Sequence, residues 1–356
     1  MDKKSLNKTI IINAPRASGI GTFGWKFKAE FEKKRMIDYI EITPTWKGLL
    51  FLWVKLWNRE LKIIFNLGFT SFGKSIYKNF LNFLMLKLYS IINPSQSIIL
   101  HDSIDTSNLQ YSGYSNSKLL PIGGKIAIQM LKNYNIFVFS KIFHDVLKDK
   151  YGFEKVKYFP FPSENELLSE CYRFDGDPLL LNLGYIAPYK GLEILPEIKS
   201  KLNNIKLMIV GNFYESFLTT KDGPQYKRNL IALMNESGVT MTGYLDEERV
   251  KELIKKHKTI AILPYISGYN ASYSALFFIK LGIPVVATNL ELFLEIQNNG
   301  AGIVLSERTP SDIANTILKI LNSQVFVEGL IESDRKYCAK YSFRTFCEFL
   351  ISKTEH

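Results

Sequence analysis

Short apolar runs rich in β-branched residues alternate along this chain with longer segments of helical period. We predict that these runs are strands, and they lie at residues 9–13, 98–101, 136–140, 156–159, 179–183, 206–210, 259–263 and 284–288, with a further short strand at residues 239–242. Most of them are nearly continuous apolar blocks, as expected of parallel strands that are buried on both faces. The alternation predicts an α/β fold in which crossover helices connect parallel strands.

The chain is too long for a single hydrophobic core. It has 356 residues, whereas single cores stop growing at roughly 250–300 residues. Residues 160–177 break the periodicity with Pro, Ser, Asp and Gly, which predicts a domain boundary. We predict two Rossmann-like domains that face each other across a cleft, over residues 1–165 and 175–325. After Ser323 the chain is predicted to run as helix to Glu348 and beyond, with residues 326–356 returning to the N-terminal domain.

The composition favours an anionic partner. Lys and Arg number 45 against 34 Asp and Glu, a net charge of +11, which suits phosphorylated ligands, anionic lipid or nucleic acid. The basic residues are scattered at helical spacings, which disfavours nucleic acid. The three cysteines lack C-x-x-C spacing and predict neither a disulfide framework nor a zinc site. Without a signal-peptide pattern, we expect a cytoplasmic location.

The longest apolar region, residues 48–65, does not predict a membrane-spanning helix. Four charged residues interrupt it within the roughly 20 residues that a bilayer requires. Trp46, Trp53 and Trp57 lie beside several lysines, a composition suited to the membrane interface. We therefore expect either association with a membrane surface or a helix packed against the N-terminal sheet.

Candidate ligand-binding residues of the N-terminal half follow two predicted strands. In the loop APRASGIGTFG, Gly19 and Gly21 would let the backbone approach a donor, beside the N–H groups of a helix start. Their spacing does not match the dinucleotide pattern G-x-G-x-x-G, and a tight turn without a ligand is the alternative. His101 closes a second strand and is a candidate catalytic residue, with a structural, hydrogen-bonded histidine as the alternative.

Ligands of open parallel sheets bind beyond the carboxyl ends of the strands, which points to further residues in the C-terminal half. Lys190, in GYIAPYKG, is expected to face solvent where its ammonium neutralises a diphosphate; an ordinary surface lysine is the alternative. Tyr185 and Gly211 follow strands and are predicted to bind the donor. Ser272 and Ser274 precede an apolar helix and either bind phosphate there or cap the helix.

In this order, the segments resemble the retaining glycosyltransferases of family 4, the group 1 family with the GT-B fold, over nearly the whole chain. SGIGTFGWKF resembles the family's glycine loop, ILHD its histidine strand, and LNLGYIAPYKGLEIL the start of its donor domain. The resemblance implies metal-independent, retaining transfer of a sugar from a nucleotide diphosphate donor to a lipid-linked, glycan or protein-bound acceptor, without a further cofactor. It also implies that Lys190 binds the diphosphate and stabilises the leaving group, and that His101 touches the donor sugar.

The chain departs from the family pattern at two places. Tyr185 stands where a basic residue often contacts phosphate. No acidic residue lies within residues 263–288. Tyr269 and Phe277 therefore stand near the two positions at which the family's Glu-x7-Glu signature has glutamate. The segment instead resembles a variant subgroup of the family that carries serine, to which Ser272 would correspond. Two alternatives follow. One is a catalytically inactive glycan- or membrane-binding protein, and the other is a sugar-nucleotide epimerase, which would need acids in the cleft for proton abstraction.

Overall fold

The computed structural model describes residues 9–15, 19–34, 37–56, 62–68, 71–72, 76–93, 96–101, 120–164, 174–202, 204–268 and 272–354. These residues form two compact units. As far as they are described, the first unit contains residues 9–101, 120–162 and 343–354, and the second contains residues 163–342.

Each unit is built on a six-stranded parallel sheet. The first sheet has the order β2-β1-β3-β4-β5-β6 and the second the order β12-β11-β10-β7-β8-β9. The strands are β1 (Thr9–Asn13), β2 (Ile37–Glu41), β3 (Lys62–Leu67), β4 (Ser97–Leu100), β5 (Asn135–Val138), β6 (Val156–Tyr158), β7 (Pro178–Leu183), β8 (Lys206–Val210), β9 (Thr240–Gly243), β10 (Lys258–Leu263), β11 (Val285–Thr288) and β12 (Ile303–Ser306). Because all strands of a sheet run the same way, their carboxyl ends share one edge.

Helices connect the strands. They are α1 (Gly19–Glu32), α2 (Trp46–Leu56), α3 (Ile76–Ile92), α4 (Leu120–Met130), α5 (Lys141–Asp145), α6 (Leu195–Ser200), α7 (Glu215–Leu218), α8 (Gly223–Glu236), α9 (Glu247–Lys255), α10 (Tyr273–Lys280), α11 (Glu291–Asn298), α12 (Pro310–Leu321), α13 (Gln324–Lys340) and α14 (Phe343–Thr354). The predicted α/β class with two Rossmann-like domains is confirmed by this alternation.

Every strand that the apolar runs predict is present, but β2, β3 and β12 were missed. β2 carries charged residues at Asp38 and Glu41, and its residues are half-buried or exposed because it lies at the edge of the sheet. β3 falls within the apolar region that was interpreted as an amphipathic stretch. Periodicity distinguishes short apolar strands poorly from buried helical segments, which explains this error.

The first sheet is covered on both faces. Helices α2, α3 and α4 contribute Leu52, Phe83 and Ile128 to one core together with Ile136 of β5. The next residue, Phe137, points to the other face, where its ring lies 6.0 Å from that of Phe349 in α14. Alternate residues of a strand therefore serve two cores, which requires the continuous apolar runs of the sequence.

The two described tryptophans of this region differ in burial, and association with a membrane surface stays a prediction. Trp53 of α2 is buried, and its Nε1 donates to Asn82 Oδ1 of α3 at 2.7 Å, so this side of the helix packs inward. Trp46 is 57% exposed. Trp57 lies outside the described residues.

The C-terminal segment differs from the prediction. A continuous helix was expected after Ser323, but the chain breaks between α13 and α14 because Ser163 N donates to Tyr341 O at 2.8 Å, taking a carbonyl that the helix would use. Only α14 belongs to the first unit. Helix α13 stays in the second, where Asp334 Oδ1 accepts a hydrogen bond from Gly302 N at 2.7 Å.

We predict that Gly24→Ala destabilises the protein and that Gly123→Ala does not. A Cβ at Gly24 in α1 would overlap Oδ1 of Asn13, whereas a Cβ at Gly123 in α4 meets nothing within 4 Å. Overpacking costs about 1–3 kcal/mol, while alanine in an open helical position gains up to about 1 kcal/mol over glycine. Urea unfolding of wild type and the two variants measures the change in the free energy of unfolding that each substitution causes. Equal stabilities would contradict the close approach of α1 to Asn13.

Candidate functional site

Lys190 lies beyond the carboxyl end of β7, in a short 3₁₀ turn, Pro188–Lys190. Its side chain is 6% exposed. The Nζ donates a hydrogen bond to the hydroxyl of Tyr265 and lies 3.9 Å from the centre of that ring. The expectation of a solvent-facing lysine was therefore wrong, because Tyr265 replaces much of the water around the ammonium.

Tyr265 was missed by the sequence interpretation. It follows β10 by two residues at the same edge of the sheet, and it is buried. Burial alone would raise the pKa of its phenol. The Lys190 ammonium, together with hydrogen bonds from Lys190, Ser272 and Ser274, outweighs burial and lowers the pKa of Tyr265 below its usual value. Its position just after a parallel strand was the feature of the sequence that could have marked it as a candidate ligand-binding residue.

Ser272 and Ser274 reach the same phenolic oxygen from the start of α10. Ser272 also caps this helix, since Ala275 N donates to its Oγ at 3.2 Å. Ser274 Oγ lies against Gly184, where an added Cβ would be only 2.8 Å from it and 3.7 Å from Lys190 Nζ. Gly184 therefore leaves the space that these polar groups share.

Gly211 and Tyr185 lie at the same edge. Gly211 has φ +148, and a Cβ there would overlap the carbonyl oxygen of Gly184. This close approach of two loops gives Gly211 a structural reason to be glycine. Tyr185 is 51% exposed and its ring lies 5.5 Å from that of Tyr214. Their predicted roles in donor binding stay predictions.

Helix α10 is buried from Ser274 to Lys280. Phe277, near one position of the missing glutamates, is buried with its ring 5.7 Å from that of Phe278; Tyr269 lies outside the described residues. The helix end carries a buried charge, Lys280, whose Nζ pairs with Glu247 Oε1 at 2.7 Å and Glu164 Oε1 at 3.0 Å. These carboxylates compensate for the lysine's lost hydration.

A second polar group occupies the corresponding edge of the first unit. Asn66 of β3 donates through Nδ2 to Asn13 Oδ1 at 2.6 Å and to Ile20 O at 2.9 Å, and its Oδ1 lies 2.6 Å from His101 Nε2. Asn13 Nδ2 in turn donates to Gly21 O at 3.0 Å. The two asparagines were missed, although each is the polar residue near the end of an otherwise apolar strand.

His101 is held as a neutral ring. The carbonyl oxygen of Asn66 accepts its hydrogen bond, so Nε2 carries the proton. Phe23 and Phe139 surround the ring, with centroids at 4.6 and 5.2 Å. Burial lowers the pKa of His101 to about 3. The structure thus supports a hydrogen-bonded histidine, and contact with a donor sugar stays a prediction.

The glycine loop is tied to this group by its backbone. Gly19 begins α1, and the carbonyls of Ile20 and Gly21 accept the amide hydrogens of Asn66 and Asn13. These contacts fix the first turn of the helix against the sheet. Any residue type supplies such carbonyls, so these contacts do not by themselves require glycine, and donor binding by Gly19 and Gly21 stays a prediction.

Arg308 is a cation that the sequence interpretation did not single out. It follows β12, and its Nε donates to Pro264 O at 3.3 Å. A Cβ at Gly191, which has φ +61, would lie 3.0 Å from its Nη2. The absent side chain of Gly191 therefore admits a guanidinium beside the Lys190 turn.

The described residues contain neither a candidate metal-binding cluster nor a candidate membrane-spanning helix. No group of three or more His, Cys, Asp or Glu side chains in the described ranges is arranged to hold a metal ion. Among the helices of this part of the chain, none combines the length and apolar character needed to cross a bilayer.

Comparison with known proteins identifies the class to which this fold and site belong. Residues 166–344 match the family model described as glycosyl transferases group 1. The match covers half of the chain, and the chain therefore belongs to the group 1 glycosyltransferases. A search by sequence finds no curated protein that matches it.

Solved structures share the fold over the full length. Anabaena HepE in complex with UDP and glucose is 11% identical, with 98% of this chain and 99% of that chain covered and a TM-score of 0.70. Sucrose-phosphate synthase from Thermosynechococcus elongatus is 13% identical, with 97% and 98% covered and a TM-score of 0.72. A glycosyltransferase from Rickettsia africae is 12% identical, with 99% and 98% covered and a TM-score of 0.68. These similarities confirm the GT-B fold class.

We predict that one tyrosine ionises below the usual pKa of about 10 and that this tyrosine is Tyr265. In a spectrophotometric titration of the folded protein, Tyr265→Phe should lose the earliest ionisation step. Tyr89→Phe is the matched control, because burial raises the pKa of Tyr89 to about 12 and its removal leaves the early step in place. Persistence of that step in Tyr265→Phe would contradict the assignment.

Proposed function

We propose that this group 1 glycosyltransferase transfers a sugar from a nucleotide diphosphate donor to a lipid-linked, glycan or protein-bound acceptor, with retention at the anomeric carbon. Family membership supports sugar transfer. Anabaena HepE was solved with UDP and with UDP-glucose, so uridine diphosphate sugars are the first donors to test. The observation that carries the proposal is the buried ammonium of Lys190, held at the carboxyl edge of the second sheet.

The proposed chemistry depends on stabilising the departing diphosphate. Negative charge grows on this group as the bond to the sugar breaks, and a preorganised cation in a water-poor site stabilises it strongly. Lys190 is such a cation, and Tyr265 is the positioning residue that fixes its Nζ. The first N–H groups of α10 add positive partial charge. We propose that these positive groups take the place of a metal ion, so that the reaction is metal-independent.

We further propose that His101 contacts the sugar without transferring a proton. Its pKa of about 3 keeps the ring neutral near pH 7, so it is a poor general acid. A neutral imidazole fixed by Asn66 can still orient a hydroxyl through hydrogen bonding. Activity should accordingly show no step from His101 between about pH 5 and 8.

We predict that Lys190→Met lowers kcat by roughly a hundredfold to a thousandfold, the usual cost of losing one stabiliser of transition-state charge. Methionine retains much of the lysine volume and so limits cavity formation. Lys206→Met is the matched control, since Lys206 is exposed at the start of β8, the opposite edge of the sheet. Nucleotide release from the cognate donor measures the rates. Unchanged turnover in Lys190→Met would refute the leaving-group role.

We also predict that donor binding weakens at alkaline pH through Tyr265. The neutral phenol compensates the Lys190 charge only partly, whereas the phenolate cancels it. Because the pKa of Tyr265 is lowered, the dissociation constant for the nucleotide diphosphate should rise before the usual tyrosine range near pH 10 is reached. Calorimetric titration of the nucleotide diphosphate into wild type and into Tyr265→Phe, from neutral pH up to about pH 10, measures the dissociation constants. An identical pH dependence in both proteins would exclude Tyr265 as the cause.

A catalytically inactive binding protein is the second candidate. It is favoured by the absence of acidic residues within residues 263–288 and by the buried Phe277 near one signature position. Such a protein would bind a glycan or a membrane, whereas a transferase must bind its nucleotide sugar, and a ligand at 100 times its Kd stabilises the folded state by about 2.7 kcal/mol. Thermal shift with a donor panel, followed by nucleotide release and NMR of the product anomer, separates the candidates. The absence of nucleotide release from every donor, with or without stabilisation, would favour the inactive protein.

A further inference from the structure

The outer face of three helices in the first unit is apolar. Of the large hydrophobic residues that are exposed in the described part of the chain, more than half lie on α2, α3 and α4. They are Trp46, Leu50, Phe51, Val54, Tyr77, Phe80, Leu81, Leu84, Leu88, Ile91, Ile92, Ile122 and Ile126. We call these residues the outer apolar face.

The same helices already bury an inner face. Leu49 and Leu52 of α2, Phe83 and Leu86 of α3, and Ile128 of α4 belong to the core below the sheet. Helices that cover a sheet in a water-soluble domain normally present polar residues outward. Within the part of the chain that the structure describes, the helix layer is therefore apolar on both sides, and its outer side is exposed.

The three helices form one continuous layer. Trp53 of α2 is hydrogen-bonded to Asn82 of α3, and Lys78 of α3 lies 5.4 Å from the centre of the Trp46 ring. Helix α3 packs against α4, and Tyr134, just after α4, donates to Leu86 O at 2.8 Å. The exposed residues thus extend over a surface three helices wide, larger than scattered exposed side chains would give.

The charge of this layer has one sign. Helices α2, α3 and α4 contain no Asp or Glu. Lys47 and Lys125 are exposed on the layer, and Lys78 and Lys87 are half-buried. Positive charge beside an apolar surface complements anionic lipid headgroups above acyl chains.

We propose that the outer apolar face binds the surface of an anionic lipid bilayer, with α2, α3 and α4 lying in the interface plane. Among the described residues that are exposed on these three helices, only Trp46, Lys47, Tyr77, Lys125 and Gln129 carry a side-chain hydrogen-bonding group, whereas protein interfaces use about one hydrogen bond per 100–200 Å². Amphipathic Trp and Tyr rings are also enriched at the membrane interface. This inference is independent of the proposed transferase activity.

The proposal is tested by cosedimentation of the full chain with vesicles. Vesicles of phosphatidylcholine alone are compared with vesicles that also contain phosphatidylglycerol, at low and high salt. We expect binding that requires the anionic lipid and weakens with salt, because exposed charges are screened. The double variant Phe51→Glu/Ile91→Glu should bind at least tenfold more weakly, since it places carboxylates on residues that are 64% and 62% exposed.

The matched control is Leu318→Glu/Val325→Glu, which makes the same change at exposed residues of α12 and α13 in the second unit. It should bind vesicles like wild type. Lys47→Gln/Lys125→Gln should weaken binding to the anionic vesicles and make that binding less dependent on salt. Urea unfolding midpoints confirm that each variant is folded.

Three results would overturn the proposal. Wild type that does not bind anionic vesicles at low salt excludes a lipid partner. Equal binding by wild type and the Phe51→Glu/Ile91→Glu variant places the contact elsewhere. A dimer in sedimentation velocity that this variant dissociates, without vesicle binding by wild type, assigns the face to a second copy of the chain.

Discussion

Parallel strands buried on both faces can carry hydrogen-bonding side chains at low cost only near their ends, because a polar group in the middle of such a sheet loses its water. Both units obey this constraint. In the first unit Asn13 and Asn66 lie near the carboxyl ends of β1 and β3 and bind each other. In the second, Lys190 and Tyr265 lie in the loops that follow β7 and β10. The candidate chemistry therefore collects where strands that are distant in sequence end together.

The two groups of polar side chains, one around Asn66 and one around Lys190, are stabilised in their buried positions by different interactions. The asparagine group is neutral and is satisfied by amide hydrogen bonds, and burial keeps His101 neutral as well. The Lys190 group holds a charge, for which the phenolic oxygen of Tyr265 and its ring provide partial compensation. A site that compensates a cation only partly is suited to bind an anion, whereas a fully paired lysine such as Lys280 is suited to hold the fold together. This difference separates two buried lysines that look alike in the sequence.

The sequence predicted part of the candidate site because strand ends can be recognised from apolar runs. Lys190, Ser272 and Ser274 were selected by this criterion, and the structure brings all three to Tyr265. Tyr265 itself was overlooked because a tyrosine near an apolar strand is usually part of the core, and its distinguishing feature is a contact with a residue 75 positions away. The burial of Lys190 was missed for the same reason. The sequence indicated the outer apolar face only through the tryptophan region around α2. The continuation of this face on α3 and α4 could not be predicted, because it depends on how the three helices pack.

The sequence by itself determined the α/β class, the two sheets and most strand positions, since local periodicity records whether a strand is buried on one face or both. It also determined the positive charge and the absence of acids in residues 263–288. The tertiary structure alone decided which side of α2 faces solvent, where the C-terminal helix breaks, and which groups surround Lys190 and His101. Each of these depends on atoms far apart in the chain, such as Ser163 and Tyr341, whose approach is set by packing and leaves no pattern in the neighbouring residues.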